Sequence, residues 1–366
     1  MIWTGVIRAG AILAQMQLAT SVSGLDDCER DKGQLGSSTR VMYVRRRGTL
    51  VEVETPAKVN LFLEVLSRRA DGFHELETLM APISLYDHVS LAANSTGSLS
   101  LACRWARGVE GYRTRHRNVG IGVWEAIPAE GDNLALRSLS LLRRRAGIGA
   151  GADVTLVKRI PAAAGLGGAS SDAAAVLVAA NIAWGLDWSR PQLAEVAAEL
   201  GSDVPFFLHG GPCLCRGRGE RIESLEGIKP LHLVVVRPPA GLATAAVYRI
   251  CSPAEQPRRA DAILAAARGG DAVRVGRLLF NRLQEAAERL SPWIGRLREA
   301  FGRLDCLGHQ MSGSGTSYVG LCRQAAHARA VAARLRAAGL GAVFAVTTQD
   351  GEPVGGDAIW TSPRFA

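Results

Sequence analysis

The chain has 366 residues, 48% of them hydrophobic, and a formal net charge of +9. It is long enough to bury a sizeable core and to divide into two domains, and its balance of apolar and charged residues excludes a fibrous or wholly disordered chain. No stretch approaches the roughly 20 uncharged apolar residues of a membrane span, so a soluble, cytoplasmic protein without a membrane partner is expected.

The positive charge favours anionic partners, yet nearly all of it is arginine spread along the chain. Only Lys32, Lys58, Lys158 and Lys229 are lysines. No aromatic-interleaved basic stripe is present, so an Arg-surface nucleic-acid binder ranks last and no nucleic-acid partner is expected. Seven cysteines at irregular spacing outline no disulfide framework. Cys213 and Cys215 lack a second pair or a nearby His for zinc, and the cysteines read as small buried residues in a reducing compartment.

Residues 1–24 hold a short apolar patch at 9–14, bordered by Arg8 and preceded by no basic start, which matches a secretory signal poorly. Residues 21–48 are polar, end in the basic run 45–47 and show no sustained periodicity, so 1–48 is expected to be a disordered extension. At Leu50 the pattern changes. Val51, Val53, Val59, Leu61, Leu63 and Val65 alternate with other residues as in strands packed on one face, and Asp71 with Gly72 predicts a turn. Residues 104–120 form an Arg-rich excursion expected to be a surface loop. A helix is predicted over 133–145 and a strand over 153–160.

That strand feeds PAAAGLGGASS at 161–171, followed by a helical run over 172–184. Gly165, Gly167 and Gly168 have no side chain to block backbone approach, and a helix N-terminus offers unpaired amides and a positive dipole end to a phosphate. Such a loop also serves simply to pack a helix tightly on a sheet. Neither G-x-G-x-x-G nor a Walker A lysine is present, so a nucleotide site here belongs to another class.

A further helix is predicted from 189, with Pro191 in its first turn and Gly201 at its end. A strand at 231–236 follows, then helices over 260–268, 273–289 and 292–304. The glycine- and serine-rich turn SGSGTS at 312–317 precedes a strand, a helix over 325–338 and a strand over 342–347. No solenoid repeat is present. The alternation predicts an α/β (α+β) fold of mixed sheets with helices packed against them.

Three segments, PAKVNLFL at 56–63, the glycine loop at 161–171 and SGSGTS at 312–317, stand in the order found in the GHMP kinases, which the chain resembles from 50 to about 350. The resemblance implies a nucleotide-binding and catalytic domain over 49–228, a C-terminal domain over 229–353 and a tail over 354–366. It also implies ATP with Mg²⁺ as co-substrate, no tightly bound cofactor, and a monomer or weak homodimer. RADGFHEL at 69–76, GDNL at 131–134, LGSDVPF at 200–206 and NRLQ at 281–284 resemble the branch whose acceptor is a cytidine-diphosphate-linked polyol. The alternatives are a member acting on another small alcohol, of homoserine or mevalonate type, and a catalytically silent nucleotide-binding regulator.

Phosphoryl transfer to a hydroxyl needs a proton acceptor, a cation near the reacting oxygens and a rigidly placed triphosphate. The resemblance assigns the first two to Asp203 and Lys58. Asp203 precedes Pro205, which is expected to hold Val204 extended; a helix-end carboxylate is the competing role. Lys58 lies in an apolar, strand-like segment where an ammonium needs a partner. Pro161, Ala162, Ala163, Ala164, Gly165, Leu166, Gly167, Gly168, Ala169, Ser170 and Ser171 are implied to bind ATP, with Asn133 near the adenine unless it is only a helix cap. No metal ligand is assigned, although Ser170 or Ser171 could help hold Mg²⁺. Asn60, Phe73, His74, Thr244, Tyr248, Gly313, Ser314 and Gly315 are implied on the acceptor side, with Phe73, His74 and Tyr248 around the base. The chain departs from the family pattern in its extension, in the excursion, and in having Phe73 and Gln284 where Tyr and Glu are usual.

Overall fold

The computed structural model of the protein describes residues 42–109 and 133–350. Two sheets carry the fold. The first is built on two long strands, β2 (Leu50–Arg68) and β3 (His74–Asn94), paired antiparallel through the turn at Asp71 and Gly72. Gly72 takes φ +85 there, a value that favours glycine.

β1 (Tyr43–Arg47) adds to the outer edge of β2, while β5 (Gly151–Lys158) and β4 (Leu99–Trp105) extend the sheet beyond β3. β6 (Cys213–Gly217) pairs with the near end of β3 and with β7 (Arg221–Ser224), and the two-residue β9 (Phe280–Asn281) lies parallel to β2. The second sheet has the order β10 (Gly308–Met311), β11 (Tyr318–Cys322), β8 (His232–Arg237), β12 (Ala342–Thr347), all antiparallel.

Helices cover both sheets. α1 (Leu134–Ala146), α2 (Gly168–Ala183) and α3 (Arg190–Leu200) pack with Val51, Val53, Val89 and Leu91 of the first sheet in one core. α2 is buried continuously from Ser171 to Asn181, as expected of a helix that is apolar all round. A second core joins the sheets: Val59, Leu61 and Ile83 meet Leu233 and Val235 of β8, with α5 (Asp261–Arg268) at its side. The intervening residues of β8, Val234 and Val236, face a third core. There they meet α7 (Leu283–Leu290), α8 (Pro292–Gly302) and α9 (Ala325–Ala337), so period-two alternation in β8 serves two layers. α4 (Thr244–Ile250) and α6 (Ala272–Leu278) complete the helices.

The mixed α/β class is as expected, and four local expectations are corrected. Residues 43–47, read as part of a disordered extension, form β1, because backbone pairing with β2 and burial of Met42 need no apolar pattern in the strand itself. The single helix expected over 273–289 is broken: Leu279 is extended (ψ 131), and Phe280 and Asn281 pair with Phe62 and Leu63. Val204 is helical (φ −66, ψ −45), not extended, since it leads into a 3-10 turn with Pro205 at the first position, where a missing N–H costs nothing. β4 continues to Trp105, so the excursion starts later than 104. Residues 110–120 of it, like 1–41 and 354–366, lie outside the described residues. Cys213, Cys215 and Cys322 are buried as expected, whereas Cys103, Cys251 and Cys306 are partly exposed. Among the described residues no helix is long and apolar enough to cross a membrane.

Candidate active site

The glycine loop leaves β5 and enters α2 between two other segments. Gly165 and Gly167 both take φ +72, and Ala163 takes φ +46, uncommon for a residue with a side chain and a mark of strain held by its surroundings. The loop's carbonyls are tied inward: Ser317 N–H donates to Ala164 O (3.0 Å) and Lys58 N–H to Leu166 O (2.9 Å). A Cβ at Gly165 would stand 2.3 Å from Ser312 O, and one at Gly167 would stand 3.0 Å from the Lys58 Cγ. The three sequence motifs therefore interlock at van der Waals distance. Gly167 caps α2 without a side-chain hydrogen bond, so no side chain of the cap competes for the first-turn amides, and no acidic residue lies in that turn.

β2 presents Lys58 beside this helix start. The side chain is only 5% exposed; its Nζ donates to Asn60 Oδ1 at 2.7 Å and stands 3.5 Å from Asp203 Oδ2. Asn60 is itself fixed, donating to Thr78 Oγ1 (2.8 Å), which in turn donates to Phe62 O (2.6 Å). Asp203, in the turn between α3 and the Pro205–Leu208 3-10 turn, is 38% exposed and open to the cavity. Lys58 and Asp203, far apart in sequence, thus converge next to the glycine loop.

The turn at 312–317 closes the site from the second sheet. Asn281 donates to Met311 O (2.7 Å) and Gly313 O (2.8 Å), and Gln284 Oε1 accepts from Met311 N–H (2.9 Å). This explains the break before α7: a continuous helix would point Asn281 elsewhere. Arg282 anchors the same corner, donating to both oxygens of the fully buried Glu64 at 2.7 and 2.9 Å. The Ser314 and Thr244 hydroxyls lie 2.8 Å apart, joining the turn to α4.

One cavity of about 1190 Å³ runs through the site. It is lined by Lys58, Asn60 and Asp203, by Pro161 to Gly165 and Gly167 to Ser170 of the loop, by Asn133, and by Gly313, Ser314 and Gly315. Phe73, His74, Thr244 and Tyr248 line it as well. The His74 and Tyr248 rings stand 5.4 Å apart at 32°, whereas Phe73 is 52% exposed beneath the Arg218 guanidinium (4.9 Å). Burial, with Arg68 nearby, holds the His74 imidazole below its ordinary value.

Two residues read as phosphate contacts are not in the lining. Leu166 is a core residue, 1% exposed. Ser171 turns its hydroxyl onto β2, donating to Pro56 O (2.6 Å) beside Thr55 Oγ1 (2.6 Å), so it stitches α2 to the sheet and is not available to a metal or phosphate. Asn133 caps α1, accepting from Ala135 N–H at 3.0 Å, and still lines the cavity. Sequence reasoning missed Thr78, Trp105, Arg218 and a buried group of Lys158, Asp87 and Asp172. Burial would push the Lys158 ammonium down, but the Asp172 and Asp87 carboxylates hold it above its ordinary value. Burial, with Asp87 adding repulsion, pushes the Asp172 carboxyl well up.

The GHMP kinases N terminal domain matches residues 133–211, and the GHMP kinases C terminal domain matches 262–340. The chain is 42% identical over 282 residues to a 4-diphosphocytidyl-2-C-methyl-D-erythritol kinase of Pelotomaculum thermopropionicum, spanning 76% of this chain and 92% of that one. The chain belongs to the GHMP kinase family. A Nocardioides protein of the same name is 40% identical over 301 residues, covering 80% of this chain and 95% of its own. A crystal structure of 4-(cytidine 5'-diphospho)-2C-methyl-D-erythritol kinase superimposes on this GHMP kinase with a TM-score of 0.66 and 37% identity, covering 81% of this chain and 99% of that one. A homoserine kinase of Cytophaga hutchinsonii shares the fold, with a TM-score of 0.63 at 19% identity over 84% of this chain and 98% of its own. Lys58, Phe73 and His74 lie outside both matched domain spans.

Proposed function

We propose that this GHMP kinase transfers the γ-phosphoryl group of ATP to the 2-hydroxyl of 4-diphosphocytidyl-2-C-methyl-D-erythritol, in the non-mevalonate route to isoprenoid precursors. The observation that carries the reading is the convergence of Lys58 and Asp203 beside a helix start that has no side-chain cap, in a cavity that also holds an aromatic cluster suited to a base. The likeness to kinases of that name over most of the chain supports the acceptor.

In this reading the α2 amides and the glycine loop take the triphosphate, delivered as MgATP, with the Ser170 hydroxyl at hand and Ser171 excluded. The acceptor oxygen forms a bond to the γ-phosphorus as the bond to the β,γ-bridging oxygen breaks, ADP leaves, and the hydroxyl proton passes to Asp203. Lys58 steadies the charge on the reacting oxygens, and Asn60 keeps its ammonium in place. Phe73 and Tyr248 offer flat apolar faces to the cytosine, with His74 as its polar edge partner.

A coupled ADP-release assay with the cytidylated methylerythritol, homoserine and mevalonate tests the whole reading. Turnover with the cytidylated acceptor alone is expected. Efficient turnover of a cytidine-free alcohol would move the chain to another branch, and no turnover with any of them would make it a silent nucleotide binder.

His74 supplies a pH signature. Burial, with Arg68 nearby, lowers its pKa from the ordinary histidine value, which favours the neutral ring with one nitrogen able to accept a hydrogen bond. The acceptor KM is expected to stay flat from about pH 8 to about pH 7 and to rise as pH falls through that lowered value, where protonation turns the accepting nitrogen into a donor. A profile unchanged in His74→Phe would detach the ring from base recognition.

A further inference from the structure

Three buried ionisable side chains lie against the glycine loop. The Lys158 side chain, at the end of β5, is 6% exposed, and its ammonium contacts carboxylates of Asp87 on β3 and Asp172 on α2, which are 0% and 5% exposed. Asp87 uses its other oxygen to accept the backbone N–H groups of Arg159 and, at 2.9 Å, Ile160. Those are the two residues through which the chain enters the loop. Asp172 lies in the helix through which it leaves. A Cβ on Gly168, the first residue of that helix, would stand 3.3 Å from the Lys158 Nζ.

Burying charges is costly unless each is well partnered, and apolar residues of similar volume would hold a core as well. What an ammonium adds is direction: its three donors can bind a strand and a helix at one point. Lys158 and Asp172 both line the cavity, and Asp172 Oδ1 is buried without a hydrogen-bond partner among the described residues. The group therefore faces the nucleotide side of the site rather than an unrelated part of the core.

We propose that Lys158, Asp87 and Asp172 are positioning residues, a clasp that holds the entry and the exit of the glycine loop at the separation a bound triphosphate requires. Asp87 sets the entry through two backbone amides, Asp172 sets the exit through α2, and Lys158 ties them. The clasp acts through the loop and touches neither the acceptor nor its base. This inference rests on the kinase reading.

The test compares Asp172→Ala with Asp172→Asn. Alanine leaves Lys158 and Asp87 as a neutral pair but frees the helix end; asparagine keeps an oxygen for Lys158. In Asp172→Ala the KM for ATP, and the Kd for ATP by calorimetry, are expected to rise about tenfold, the scale on which small misplacement is felt. The KM for the cytidylated acceptor should stay within about twofold, and Asp172→Asn should restore ATP binding to within about twofold of the parent. Should alanine prevent folding, Asp172→Ser, too short to reach Lys158, is expected to give the same selective rise. Unchanged ATP binding in the alanine or serine variant, or an equal rise in both KM values, would overturn the clasp while leaving the kinase reading intact. A parent enzyme that turns over no acceptor would overturn both.

Discussion

Asp203→Asn is expected to lower turnover by about 10²-fold to 10⁴-fold, the range of a lost general base, with little change in the KM for ATP. Amide and carboxylate have the same shape, and at 38% exposure the Asp203 side chain contributes little to the core, so the variant should fold like the parent. Lys58 keeps its hydrogen bond to Asn60 in the variant, and the ammonium therefore stays at the site. The loss would belong to proton acceptance and to the Lys58 contact, not to a collapsed cavity. Steady-state kinetics with ATP and acceptor varied separately checks this, and near-normal turnover would remove Asp203 from the chemistry.

Gly165→Ala should do its damage through packing. The backbone there has φ +72, which costs a residue with a Cβ about 1–2 kcal/mol. The new methyl would lie 2.3 Å from Ser312 O and 3.0 Å from Gly315 O, both backbone atoms of the facing turn, so relief means moving one motif away from the other. Overpacking of this kind adds about 1–3 kcal/mol. A stability loss of about 2–5 kcal/mol is expected in urea unfolding, together with a raised KM for ATP. Gly147→Ala is the control: Gly147 has φ +66 at the end of α1 but nothing within 4 Å of a Cβ, so only the conformational cost remains. Equal losses in the two variants would show that the loop and the turn are not in the close contact described.

The two variants probe features of different legibility. Gly165 could be singled out from the chain because a run of small residues before a helical pattern has few physical explanations. Lys58 stood out because lysine is scarce in this chain and this one sits in an apolar strand. Asp87 had no such signal. It lies in a long strand where a carboxylate on the solvent face would look the same, and its meaning comes from Lys158 and the amides of residues 159 and 160. Ser171 misled for a related reason: adjacent serines at a helix start look equivalent in sequence, but successive residues point about 100° apart on a helix, and only Ser170 reaches the cavity. Asn281 was hidden within an apparently continuous helical pattern, which pairing with β2 interrupts.

Local composition and order along the chain were sufficient for the mixed α/β class and the strand-to-glycine-loop-to-helix unit, because each depends on backbone freedom or periodicity within a short segment, whereas the kinase family came from the resemblance of three ordered motifs and with it the expectation that Lys58 and Asp203 act together. The meeting of Lys58 with Asp203, the turn of Ser171 onto β2, the inclusion of β1 in the sheet and the contacts of Lys158 with Asp87 and Asp172 followed from packing. They depend on which distant atoms satisfy a buried polar group, and that partner is chosen by the folded arrangement of sheets and helices rather than by neighbours in the chain.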